Sequence, residues 1–141
     1  MAVFNKFDQF VVDLAAGVHV LTTAGSQLDI ILSNTAPVAA TNAIKTDITE
    51  IAYTNITETV PADTTNVGAE TPAGTWDVSG TDIVLNATGA VATFRYVVLF
   101  NDTPAAPLDP LIGWWDYGSG VTLANGESFT VDFGASIFTI T

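Results

Sequence analysis

An all-β fold, a β-sandwich with one short N-terminal amphipathic helix, is predicted for this chain by three observations. Residues 91–133 alternate apolar and polar side chains between turn signals, the period-2 pattern of strands. Apolar residues near the N-terminus recur instead at helical spacing. Everything after Val18 falls into short runs rich in Val, Ile, Thr and aromatics, broken by Gly, Asn, Asp and Pro at intervals of about 8 to 12 residues.

The helix is expected over about residues 3–16. Phe4, Phe7, Phe10, Val11 and Leu14 form its apolar stripe, Asn5, Lys6, Asp8, Gln9 and Asp13 its polar side, and Gly17 is placed to stop it. Its phenylalanines either cover the end of the sandwich or insert into a neighbouring subunit.

Strands are expected near residues 18–22, 27–33, 48–53, 55–60, 76–78, 82–86, 91–101, 111–117, 128–133 and 137–140. Phe94, Tyr96, Val98 and Phe100 alternate onto one face, as do Phe129, Val131 and Phe133. Asn125-Gly126 favours a tight hairpin turn, because both residues adopt positive φ at low cost. Gly118-Ser119-Gly120 reads as a turn between strands. Asn34 to Thr46 and Pro61 to Gly74 read as long surface loops, where such folds carry specificity. The composition does not shift anywhere along the chain, so residues 1–141 are expected to form one domain.

Composition narrows the function. Charged residues are 13% of the chain, against ~25% in typical soluble domains, while hydrophobic residues reach 48%. A membrane span does not account for the excess. The charge-free run Leu14 to Leu28 is interrupted by Gly17, His19, Thr22, Thr23, Gly25, Ser26 and Gln27. Nor does the start resemble a secretory signal, since Lys6, Asp8 and Asp13 occupy its apolar core. Burial in an oligomer or larger assembly is the expectation that remains.

Fifteen Asp and Glu stand against Lys6, Lys45 and Arg95, a net charge of −12. Nucleic acid is therefore not an expected partner, because phosphate neutralisation needs clustered cations. In a particle that contains nucleic acid, such a chain belongs on the outside.

Catalytic signals are sparse, and no enzyme activity or cofactor is expected. Without cysteine there is no thiol nucleophile or thiolate metal cluster. His19 is the single histidine, sits in the apolar run Val18-His19-Val20-Leu21, and has no Gly-x-Ser-x-Gly elbow to serve. Asp47 with Glu50, or Asp109 with Asp116, are the pairs that would flank a calcium ion, but no calcium-loop motif contains them. Trp114 and Trp115 should point to opposite faces of their strand, one into the core and one toward the second face, which is either covered by the helix or a loop or open to a sugar or a protein partner.

The phrases AVFNKFDQFVVDLAAGVH (2–19), LSNTAPVA (32–39), IKTDITEIAYTN (44–55), FRYVVLFNDT (94–103) and DPLIGWWDYGSGVTLANGESFTVDF (109–133) resemble a family of small structural proteins of tailed bacteriophages. Residues 57–74 and 134–141 match it less well. The resemblance implies a virion protein of jelly-roll type: a head decoration, or cement, protein on the outer surface of the capsid, bound to the major capsid protein and assembled as a homotrimer. It implies neither nucleic acid nor membrane as a partner. A tail, baseplate or head-fibre adaptor is the nearest alternative, and a carbohydrate-binding module using Trp114 or Trp115 the next. For protein contacts the candidates are Phe4, Phe7 and Trp115, then the loop residues Val38 and Val67.

Overall fold

The computed structural model describes residues 2–22 and 27–141. The fold is all-β with one short helix. In chain order the elements are β1 (Phe4–Lys6), α1 (Asp8–Ala15), β2 (Leu28–Ser33), β3 (Ala62–Asp63), β4 (Val67–Thr71), β5 (Thr75–Ser79), β6 (Ile83–Asn86), β7 (Phe94–Asn101), β8 (Leu111–Val121), β9 (Ser128–Val131) and β10 (Phe138–Ile140). They pair antiparallel in a five-stranded sheet, β1-β8-β7-β2-β3, a three-stranded sheet, β10-β5-β4, and the pair β6-β9.

The central strands β2 and β7 are buried on both faces, which explains their near-continuous apolar runs LDIILS and FRYVVLFN. On one face Leu28, Ile30, Leu32, Val97 and Leu99 join the larger core, together with Val78, Leu85 and Val131 from the smaller sheets and Phe133 just after β9. On the other, Ile31, Val98, Phe100 and Leu111 pack with Phe7 and Ile48. The expected single face for Phe94, Tyr96, Val98 and Phe100 is therefore split. A bulge shifts the register from Phe94↔Val121 to Tyr96↔Asp116, so Phe94 turns into the larger core and Tyr96 into the smaller.

The same bulge corrects the reading of residues 118–120 as a turn between strands. They lie inside β8, with Gly118 at φ +81°. The Asn125-Gly126 turn forms, closed by the Glu127 amide on the Ala124 carbonyl at 3.0 Å. It does not make a hairpin, because β8 pairs with β7 while β9 pairs with β6.

The N-terminus also departs from expectation. Residues Phe4–Lys6 pair with Trp115, Trp114 and Gly113 as an edge strand, and the helix begins only at Asp8. Phe4 packs into the larger core and Phe7 into the smaller, an arrangement that one helix face cannot produce. The helix ends as predicted at Gly17, φ +76°. Gly17 donates to Leu14 O and Val18 to Asp13 O, the two bonds of a Schellman stop.

Residues 18–22, 48–53 and 55–60 are not strands. Apart from isolated bridges at Ser33↔Glu50 and Ile56↔Ala87, the second and third of these run unpaired. Ile48 and Val60 instead cover the smaller core, so their apolar side chains have a purpose without a ladder. Tyr53 fastens this segment, accepting from the Leu32 amide at 3.1 Å and donating to Glu50 at 2.7 Å. Conversely, Pro61 to Gly74 is not a loop, since it holds β3 and β4 and the connection to β5. Asn34 to Thr46 is irregular apart from a bridge at Ile44 and a short 3-10 turn beginning at Lys45, close to the expected loop.

Candidate interaction surface

Large apolar side chains remain exposed at Val3, Val11, Val12, Val20, Val38, Val67, Val84 and Leu108. Half of these lie within the first twenty residues, around α1. The helix is turned partly inside out: Asp13 is buried, while Val11 and Val12 are 49% and 58% exposed. Beside it opens a groove of about 300 Å³ lined by Lys6, Phe10, Val11, Leu14, Thr139 and Ile140.

The sequence-derived contact residues divide. Phe7 is fully buried, 4.6 Å from the Trp114 ring, and Trp115 is buried between Phe4 and Phe133, so neither reaches a partner from this conformation. Both were candidates because they are large and aromatic, and that is also what selects core residues. Phe4 is half-buried and stacks on Phe138 at 5.4 Å, with 9° between the rings. Val38 and Val67 are exposed. The two tryptophans take opposite faces as expected: Trp115 is buried in the larger core, while Trp114 is partly exposed with Phe7 against it.

Three of the four polar candidates are occupied by structural bonds; among the described residues Asp109 accepts only through its backbone carbonyl, from the Lys45 amide at 2.9 Å. Asp47 Oδ2 accepts from the Ala43 and Ile44 amides, and Glu50 binds Lys45 at 3.1 Å and the Tyr53 hydroxyl. Asp116 is held by Arg95. Among the described residues no group of three or more metal-ligating side chains is placed to hold a metal ion. His19 is buried, with Nδ1 3.3 Å from Asn101 Nδ2. Asn101 Oδ1 accepts from the Thr103 amide at 3.1 Å, which leaves its Nδ2 facing the imidazole. Burial lowers the His19 pKa, offset in part by the charge of Asp13.

Asp29 is the polar feature that sequence reading missed. It lies in the middle of the buried run LDIILS, only 8% exposed, and its Oδ1 has no hydrogen-bond partner. Burial first, then the charges of Asp102, Asp63 and Asp109, push its pKa up to about 6. Nothing in the one-dimensional pattern brings these four carboxylates together. The cross-strand pair Asp29↔Asp63 arises only from the β2-β3 register.

Among the described residues no helix is long and apolar enough to cross a membrane. Compared with family models, with curated proteins and with solved structures, the chain matches none of them.

Proposed function

We propose that this chain is a structural protein of a tailed-phage virion, a decoration or cement protein of jelly-roll sandwich type. In this reading one domain binds the major capsid protein on the outer surface of the head as a homotrimer. The observation that carries it is the set of exposed valines, centred on α1, on a chain of net charge −12. Exposed apolar surface is suited to protein contact. The acidity directs that contact away from packaged nucleic acid. The resemblance of several sequence phrases to a family of phage structural proteins supplies the kind of assembly.

Cementing needs no chemistry from the side chains. A subunit that binds only the assembled shell stabilises it by mass action. Threefold closure gives each protomer two different neighbour contacts, which removes further apolar surface from water. A tail or head-fibre adaptor would use the same surface and differs in copy number.

The test is to mix the purified protein with undecorated, expanded heads of the encoding phage. Saturable co-sedimentation in hundreds of copies, with heads that rupture at a higher temperature, is the expected result. A handful of copies at one vertex or on the tail would replace cement with the adaptor reading.

A further inference from the structure

The three-stranded sheet β10-β5-β4 has two ends, and among the described residues neither end strand has a partner beyond it. Unpaired edges are templates for another strand, and monomeric proteins blunt them with charge or proline. Neither device occurs in β10, Phe138-Thr139-Ile140. The groove beside β10, of about 300 Å³, is lined on its other side by Phe10, Val11 and Leu14 of α1.

Charge indicates which strand fits. Of the three cations, Lys45 pairs with Glu50 and Arg95 with Asp116. Lys6, exposed in the groove, has no ion pair and no side-chain hydrogen bond among the described residues. At the opposite end of the same sheet, β4 exposes Val67, Ala69 and Glu70, and the Glu70 carboxylate is likewise unpaired. Glu70 lies across from Trp76, which in turn lies across from Ile140. In a sheet continued past β10 with the same face outward, its side chain projects from the same face as Ile140.

The geometry points to a head-to-tail contact in which β4 of a second copy pairs with the open edge of β10, its Glu70 carboxylate meeting Lys6. Because the two surfaces differ, the contact is heterologous, and closure of the trimer in the proposed function makes it a ring. This inference rests on the homo-oligomer in the proposed function and gives it a surface.

Light scattering on size-separated protein tests it with Lys6→Glu, Glu70→Lys and the double reversal. Both side chains are exposed, so the far-ultraviolet spectrum of each variant should match the parent. The parent is expected to be oligomeric, each single reversal to weaken association at least tenfold, and the double reversal to restore it. An oligomer indifferent to the single reversals, or unrestored by the double, overturns this contact while leaving the oligomer intact. A monomeric parent also overturns it, and adding that monomer to undecorated heads shows separately whether the decoration reading survives.

Discussion

Arg95 grips both carboxylate oxygens of Asp116 across β7 and β8, Nε to Oδ1 at 2.7 Å and Nη2 to Oδ2 at 2.8 Å. Asp116 Oδ1 also accepts from the Gly118 amide at 2.7 Å, so one carboxylate ties the sheet to the bulge that turns Phe94 into the larger core. Such a fork is geometrically specific even where solvent weakens its energy.

Asp116→Asn should therefore speed amide exchange at Gly118 with little change in melting temperature. The Arg95 hydrogen bonds first, then the Gly118 amide, hold the Asp116 pKa below the usual carboxylate value. A depressed carboxylate contributes stability above its unfolded pKa of about 3.9 and loses it as pH falls through the folded value. Gly118 protection should persist down to about pH 4 and disappear below it. Protection independent of pH would contradict this role.

Asp29 has the opposite sign. With a pKa raised to about 6, the native state binds more protons than the unfolded chain between the two values. Stability should fall as pH rises through that window and stay reduced above it. Asp29→Asn is expected to stabilise the protein on the order of 2 kcal/mol at pH 7 and by far less at pH 4, as read from denaturant midpoints. Equal effects at both pH values would mean that neither burial nor the acidic neighbours raise the Asp29 pKa.

Gly113 of β8 lies opposite Lys6 of β1. A Cβ there would strike the Phe4 ring and the Asn5 carbonyl. Gly113→Ala should displace β1 at a cost of about 1 to 3 kcal/mol. Unchanged stability would show that β1 is not packed as described.

Ala73 connects β4 to β5 with φ +67°, in the left-handed region that costs a side-chain-bearing residue about 1 kcal/mol or more. Ala73→Gly should raise stability by about 0.5 to 1 kcal/mol. A loss would place Ala73 outside that region in solution.

The strands that carry the larger core were legible because their burial is written locally. Phe129, Val131 and Phe133 alternate, and all three pack against one core. The helix stop at Gly17 was legible for the same reason. Residues 48–60 were misread because an apolar segment laid across a sheet face alternates much as a strand does. The strand β4, Val67-Gly68-Ala69-Glu70-Thr71, was missed because its packing requires the absence of a side chain. A Cβ at Gly68 would meet the Leu21 carbonyl, which the Trp76 indole also binds at 2.7 Å. Of the contact surface, Val38 and Val67 were legible as exposed. The inverted helix was not, because hydropathy alone assigns Asp13 outward and Val11 inward.

The most direct test of the central claim is titration of undecorated phage heads with this protein, followed by sedimentation and heating. Saturable binding in hundreds of copies per head, with rupture moved to higher temperature, is the predicted result. A folded protein that stays in the supernatant and leaves the rupture temperature unchanged would contradict it.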